Sequence, residues 1–456
     1  MNRFFRQETP LRVSAAEAFA WHERPGAFER LAPPWEDLEV LEKSGGIANG
    51  GRLVFRVRMG PIWQKWVAEH DGYERGKMFR DRQASGPFAY WQHTHRFEDR
   101  PDGGSVLTDE VEYRLPLAPF SDVAPKCLVE DKISAMFRYR RAVMTADLER
   151  HAEARLAPSR IAITGASGLV GKALGGFLGG GGHTVVPMVR SPRAGAIHWD
   201  PSTGIRDLAA AEGLDAVVHL AGESVLGLWT DEKKKRIRLS RTEGTRSLCE
   251  SLARLERKPR VLVCASAIGF YGETGSAEVN EASPNGSGFL AEVAREWEAA
   301  TAPARDAGIR VVIVRIGLVL SPQGGALRAM LPAFRFGIGG KLGDGKHYQS
   351  WIALDDLVYL FHHAIANEAL SGPVNGTAPN PVTNAEFTRT LASVLNRFVG
   401  PPAPGTLIRL VVPEIAREML LASQRVVPTR ALDSGFRFQF PALDGALRHL
   451  LGRNAV

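Results

Sequence analysis

Between residues 52 and 115, apolar and polar positions alternate in short runs: 52–59, 62–70, 77–83, 89–97 and 106–115. In the stretch Leu53-Val-Phe-Arg-Val-Arg-Met the period is close to two, so one strand face packs and the other is wet, as in an antiparallel sheet. The intervening GG, DG and PDGG turns suit hairpins. A helical period follows from about 121 to 154 and stops before Pro158. The pattern predicts an α+β unit over residues 1–155, a curved antiparallel sheet gripping one long helix.

From residue 160 the pattern changes. The apolar run RIAIT at 160–164 meets a glycine-rich turn and a helical segment at 172–178, and further apolar runs follow at 184–190, 215–223 and 260–266. Apolar strands alternating with helical periods predict βαβ units and a parallel sheet, that is, an α/β domain over 160–400. The PPAPG stretch from 401 reads as a hinge. The tail 401–456 is too small to stand alone and is expected to pack on the second domain.

The length, 456 residues, fits two or three domains. With 44% hydrophobic and 23% charged residues, disordered, collagen-like and coiled-coil chains are excluded. Three cysteines (Cys127, Cys249, Cys264) without a CxxC pair exclude a disulfide framework and a cysteine zinc site, and fit a reducing cytoplasm. The opening MNRFFRQETP has no apolar core of a signal peptide, and charges such as Arg315 cut the apolar runs well short of a membrane span. A cytoplasmic protein is expected. The net charge of +7 comes from 57 basic and 50 acidic residues. The run Lys233-Lys-Lys-Arg-Ile-Arg reads as a solvated helix face, and a phosphorylated ligand accounts for positive charge more economically than a polynucleotide.

The segment Thr164-Gly-Ala-Ser-Gly-Leu-Val-Gly171 lies between strand and helix, the context that gives a TGxxGxxG pattern meaning. Gly165 allows the tight turn, Gly168 the approach of a pyrophosphate, and Gly171 the packing of helix on strand. With Ser167, Leu169 and Val170 they form a cradle of amide groups at a helix N-terminus, where the dipole favours phosphate. Where an acidic residue would hold a ribose 2′-hydroxyl, the second strand ends in Arg190, followed by Ser191 and Arg193. A guanidinium pairs with a 2′-phosphate, so NADP(H) is expected over NAD(H). A later strand ends in Leu220, Ala221, Gly222 and Glu223, which would let the backbone lie close to the cofactor ribose.

The strand ending in Ser266 continues as Ala-Ile-Gly-Phe-Tyr271-Gly. With HLAGES, GFLAEVAREWEAA, VRIGLVLSPQGGAL, SWIALDDL and SQRVVPTRALDSGFRFQFPALDGAL, it resembles the extended short-chain dehydrogenase/reductase superfamily. More narrowly, nearly all of 160–450 is similar to its atypical branch, the NAD-dependent epimerase/dehydratase-like or nucleoside-diphosphate-sugar epimerase family with a C-terminal domain of unknown function. The resemblance implies a Rossmann domain, and a reductase or epimerase acting on a carbonyl or sugar-nucleotide-like substrate. It also implies a Ser and a Tyr-x-x-x-Lys pair, but Phe289 and Val293 stand at the Tyr and Lys positions, and neither carries a proton. Tyr73-x-x-x-Lys77 is a decoy in the other domain. Ser266, Tyr271, His347 and Tyr348 remain as proton donors. Ser266 and Tyr271 are the expected catalytic pair, because they leave a strand at its carboxyl end, although either Ser266 or Ala267 can match the family serine. The second reading is a non-catalytic NADP(H)-binding sensor or ligand carrier. Asp355 and Asp356 are expected to cap the following helix, and Ala353 stands where many extended members carry a His.

Residues 4–150 resemble the START-like polyketide cyclase and lipid-transport (SRPBCC) superfamily, through VSAAEAFAWH, RPGAFERLAPPW and YWQHTHRF. That resemblance implies a helix-grip fold around an apolar ligand cavity. Trp63, Trp66, Trp91, His93 and His95 either line such a pocket or pack a core. His93 and His95 share a strand face at the spacing of a metal pair, but no third ligand is evident, and no metal is expected. The expected partners are a small-molecule substrate, an apolar ligand and a second copy of the chain, with neither nucleic acid nor membrane.

Overall fold

The structure, a computed structural model, describes residues 2–116 and 126–453. The chain divides into two units, residues 1–155 with 179–182, and 156–178 with 183–456.

The first unit runs β1 (Arg3–Leu11), α1 (Ala15–Glu23), α2 (Ala27–Leu31), β2 (Leu38–Ser44), β3 (Arg52–Met59), β4 (Ile62–Glu74), β5 (Met78–Ser85), β6 (Tyr90–Asp99), β7 (Ser105–Arg114) and α3 (Lys126–Ala154). Its sheet is antiparallel, in the order β1-β7-β6-β5-β4-β3-β2. The five expected strands are present within a few residues of their expected ends. The pattern missed β1 and β2. Strand β2 lies at the sheet edge with nearly every residue exposed, so no buried face imposes a period of two. The expected start of the long helix at 121 lies outside the described residues.

Helix α3 supplies Ile133 and Phe137 to a cluster with Trp91, Val111 and Tyr113, and Met144 and Leu148 to another with Leu11, Phe19, Phe79 and Phe97. Each such buried side chain stabilises by roughly 1.5–3 kcal/mol. Arg30 on α2 donates from Nε and Nη2 to Asp147 on α3, at 2.8 and 2.7 Å, a buried bidentate pair. Trp66 stacks on Phe55 and meets Trp91 edge-on, whereas Trp63 is exposed under the Arg56 guanidinium. The expected aromatic group therefore splits across the sheet, because positions three apart on one strand point to opposite faces.

The second unit begins with β8 (Arg160–Thr164), α4 (Leu169–Gly180), β9 (Thr184–Val189), β10 (Ile197–Asp200), β11 (Gly204–Ile205), β12 (Ala216–His219), α5 (Asp231–Ala253), β13 (Val261–Ala267), β14 (Glu278–Val279) and α6 (Phe289–Ala299). Its main sheet has the order β11-β10-β9-β8-β12-β13, continued by Arg310–Ile316 and Gly372–Gly376. All pairs are parallel except β10–β11. This is a Rossmann-like α/β fold. The chain winds outward from β8 to β10, then returns to the other side of β8 with β12. Open sheets bind ligands at such a reversal, beyond the carboxyl ends of the strands.

The tail is not hinged. Gly400 N donates to Gly339 O at 2.8 Å and Ala403 N to Lys341 O at 2.9 Å, so the proline-rich stretch is laced to an earlier loop. Leu443, Leu447 and Leu450 share a core with Leu320, Trp351 and Phe387. No helix among the described residues is long and apolar enough to cross a membrane.

Candidate functional site

The crevice begins at the end of β8. Gly165 has φ +67°, and a Cβ there would lie 3.0 Å from the Leu220 carbonyl carbon, so both backbone conformation and space call for glycine. A Cβ on Gly171 would collide with the Gly165 carbonyl oxygen. At Gly168 a Cβ would meet only Gly165 O, at 3.2 Å. Ser167 and Gly168 are exposed and Gly171 is buried, so the turn shows its open side at the start of α4. Leu169 and Val170, half-buried, open that helix.

The facing wall is the segment after β12. Thr164 Oγ1 accepts from Leu220 N and Ala221 N at 3.0 and 3.1 Å, which holds this backbone beside the glycine turn. Gly222 is exposed. Glu223 takes the Lys233 ammonium at 2.6 Å, its backbone amide donates to Ser240 Oγ, and its carbonyl accepts from Arg241 Nη1 at 3.0 Å. Burial lowers the Arg241 pKa to about 10, against the pull of Glu223. Within the basic run at the start of α5, Lys235 and Arg236 are exposed, as a solvated face requires, while Lys233, Lys234 and Arg238 are half-buried and ion-paired, Lys234 with Glu414 and Arg238 with Glu292.

Arg190 and Ser191 follow β9 and are exposed. The Arg190 carbonyl takes a contact from His198 Nε2 at 3.0 Å, and among the described residues no carboxylate pairs with its guanidinium.

Ser266 and Tyr271 are both buried. Ser266 Oγ donates to Glu298 Oε1 at 2.8 Å, and Arg315 clasps the same carboxylate with Nε and Nη2, each at 2.8 Å. Arg315 Nη1 donates to Tyr271 OH at 2.9 Å, and Tyr271 OH donates to Asn375 Oδ1 at 2.7 Å. Burial raises the Tyr271 pKa further than Arg315 lowers it. Arg315 keeps its charge because Glu298 and Tyr271 outweigh burial, and its guanidinium lies 3.5 Å from the Phe270 ring centre. Ser266 therefore points into an internal network, while Ala267, next on β13, is half-exposed. Glu298 and Arg315 were not singled out from the sequence as site residues. The available signal was a charge inside an otherwise apolar strand at Arg315.

Phe289 opens α6, with the Lys234 ammonium 4.9 Å from its ring centre and Trp229 edge-on at 5.4 Å; Val293 is buried. The start of α6 is closed by the tail: Glu418 accepts from Phe289 N and Leu290 N, at 3.4 and 3.1 Å. A carboxylate there suits the helix dipole.

His347 is buried, its pKa is lowered by burial, and its Nε2 has no hydrogen-bond partner among the described residues. Tyr348 packs under Arg425, and its amide donates to Ser423 Oγ. Asp355 and Asp356 do lie in the first turn of helix Leu354–Ala366, but their oxygens serve the tail. Asp356 accepts from Gln439 N and Phe440 N at 2.7 and 2.9 Å, and Asp355 lies 3.1 Å from His449 Nε2. The expected cap is instead a clamp on residues 439–449.

A Rossmann-like sheet with this glycine turn and this tail defines a class that comparison with known proteins names. Residues 161–375 match the NAD dependent epimerase/dehydratase family, and 403–450 match a domain of unknown function. A Mycobacterium bovis epimerase family protein, Mb2239, is 41% identical over 301 residues, spanning 65% of this chain and 99% of its own. The chain belongs to the epimerase family, in the atypical short-chain dehydrogenase/reductase branch. Human epimerase family protein SDR39U1, solved with NADPH, is similar at 34% identity with TM-score 0.59, over 64% of this chain and 99% of that one. A nucleoside-diphosphate sugar epimerase from Corynebacterium glutamicum is similar along nearly the full length. Its TM-score is 0.82 at 35% identity, over 98% of this chain and 90% of that one.

Proposed function

We propose that the second unit is an NADP(H)-dependent oxidoreductase or epimerase-like enzyme acting on a carbonyl or sugar-nucleotide-like substrate. The observation that carries the cofactor choice is Arg190, just after β9, whose exposed guanidinium has no carboxylate partner among the described residues, where a 2′-phosphate would lie. Gly165, Ser167, Gly168, Leu169, Val170 and Gly171 would hold the pyrophosphate, and Leu220 to Glu223 the ribose. The bound dinucleotide would supply hydride chemistry, and the chain's own residues position it and exclude water.

Ser266 and Tyr271 are positioning residues in this reading. Each hydroxyl already donates within the Glu298–Arg315–Asn375 network, and a proton donor must be free to face the substrate. The same observation favours a second reading, a domain that binds NADP(H) without turning it over. Purified full-length chain titrated with NADPH and NADH, then offered dicarbonyl and quinone acceptors, separates the two. NADPH consumption above background supports the enzyme. Tight NADPH binding without consumption by any acceptor supports the binding module.

For residues 1–155 the proposal is a START-like helix-grip domain that holds an apolar ligand, supported by the seven-stranded antiparallel sheet packed on α3. Residues 160–400 form the Rossmann part of the proposed enzyme, and 401–456 a small domain packed on it.

A further inference from the structure

The inward face of the first unit's sheet carries a polar island among aromatic side chains. His70 on β4 stands opposite Asp81 on β5, Asp81 opposite His93 on β6, and His95 opposite Asp109 on β7. His93, His95 and Asp109 are at most 7% exposed. Asp109 is buried and Asp81 half-buried, and withdrawing carboxylates from water costs several kcal/mol unless opposite charge and hydrogen bonds compensate. Among the described residues the arginine that acts on both is the half-buried Arg140, whose Nε donates to Leu31 O at 3.4 Å, and the other groups facing them are the His93 and His95 imidazoles.

The geometry separates an inner and an outer carboxylate. His93 Nε2 lies 3.0 Å from Asp109 Oδ1, and Nδ1 of the same ring lies 3.3 Å from Asp81 Oδ2. His95 Nε2 lies 3.7 Å from that Asp81 oxygen. Its Nδ1 sits 2.8 Å from Asp109 Oδ1, but off the line a hydrogen bond requires, and this buried nitrogen has no aligned partner. When Asp109 takes the His93 Nε2 proton, the Nδ1 lone pair faces the Asp81 oxygen. A proton on Nδ1 or a metal ion between the two atoms relieves that contact.

We propose that this cluster is a binding site for a divalent transition-metal ion of the zinc class. Asp81 Oδ2, His93 Nδ1 and His95 Nε2 would be ligands, and Asp109 would orient the imidazoles from behind. One ligand atom from each of the three residues lies within 4.8 Å of the others. The Asp81 contacts at 3.3 and 3.7 Å bracket the edge of a tetrahedron with metal bonds near 2.05 Å, which is about 3.4 Å. Two imidazoles and one carboxylate form the donor set of an open site, with at least one position left for a ligand oxygen. A carboxylate behind a metal-bound imidazole is the usual outer support. His22 is turned aside, with Nδ1 donating to Ala18 O at 2.8 Å and its ring centre 5.8 Å from that of His95.

The test is a Co²⁺ titration of the full-length chain after chelator treatment. One ion per chain is expected, with the visible bands of four-coordinate cobalt, and Zn²⁺ should displace it. Asp81→Asn and His95→Gln, which keep side-chain volume, should weaken Co²⁺ at least tenfold, and Asp109→Asn about 10–100-fold. NADPH titration of the same proteins checks that the second unit is intact. A wild-type chain that gives no cobalt bands overturns the site and leaves a proton as the positive centre. Bands that persist unchanged in both Asp81→Asn and His95→Gln place the ion elsewhere and equally overturn it.

Discussion

Thr164 Oγ1 stands 2.7 Å from His219 Nδ1 while it accepts the amides of Leu220 and Ala221. Since the oxygen is already an acceptor twice, its proton goes to His219 Nδ1, and His219 Nε2–H donates to Thr245 Oγ1 at 3.0 Å. One hydroxyl thus sets the ring tautomer and holds the backbone after β12 beside the glycine turn. Thr164→Val would strand two part-buried amides and one buried ring nitrogen, at up to about 1–3 kcal/mol each if none finds water. Denaturant unfolding should show the loss and NADPH titration a weaker affinity, while Thr164→Ser stays close to wild type.

The same ring makes stability depend on pH. Burial, then Arg241, lowers the His219 pKa to about 4 from an ordinary 6.5. Between those values the unfolded chain binds a proton that the folded chain refuses, so the contribution is complete above about pH 6.5 and is lost as pH falls towards 4. The span corresponds to about 3 kcal/mol. His219→Gln, which keeps a donor and an acceptor, should flatten that part of the profile for the second unit. Parallel wild-type and variant profiles would refute the assignment.

Arg190→Ala should weaken NADPH roughly 10–100-fold and leave NADH within about twofold, because only NADPH offers the 2′-phosphate. Equal losses for both cofactors would mean that Arg190 supports the fold and does not read the phosphate.

Removing Glu298 leaves Arg315 buried and uncompensated. Glu298→Ala should cost about 3–5 kcal/mol, whereas replacing the pair together, Glu298→Leu with Arg315→Met, should cost much less. Tyr271→Phe loses about 1 kcal/mol of stability. If an acceptor is found, this variant should keep NADPH oxidation within about tenfold of wild type. A drop of roughly 10²–10⁴-fold would make Tyr271 the proton donor after all.

What the sequence disclosed followed from how local the cause was. The turn at 164–171 was legible because its demand for glycine is largely local: Gly165 has φ +67°, and a Cβ on Gly171 would meet the Gly165 carbonyl oxygen. The strands were legible where burial of one face imposed a period of two in the first sheet, or burial of both faces an unbroken apolar run in the second. The exposed edge strand β2 was not. Asp81 was invisible as a partner for His93, because strand pairing sets their proximity and a 12-residue gap in sequence carries no sign of it. The Asp355–Asp356 pair misled for the same reason: the Asp356 oxygens are matched by amides, and an Asp355 oxygen by the His449 ring, all more than 80 residues later.

The tail's place in the second core has a consequence for synthesis. Leu443, Leu447 and Leu450 complete a cluster begun at Leu320, so a nascent chain carries that apolar surface uncovered until the last of these residues leaves the ribosome. The first unit's sheet and long helix are translated hundreds of residues earlier, and domains tend to fold in the order they emerge. Premature termination before Leu443 should therefore produce a protein whose first 155 residues are native and whose remainder is a chaperone client. Pulse-chase proteolysis would show it as a stable amino-terminal fragment beside a degraded remainder.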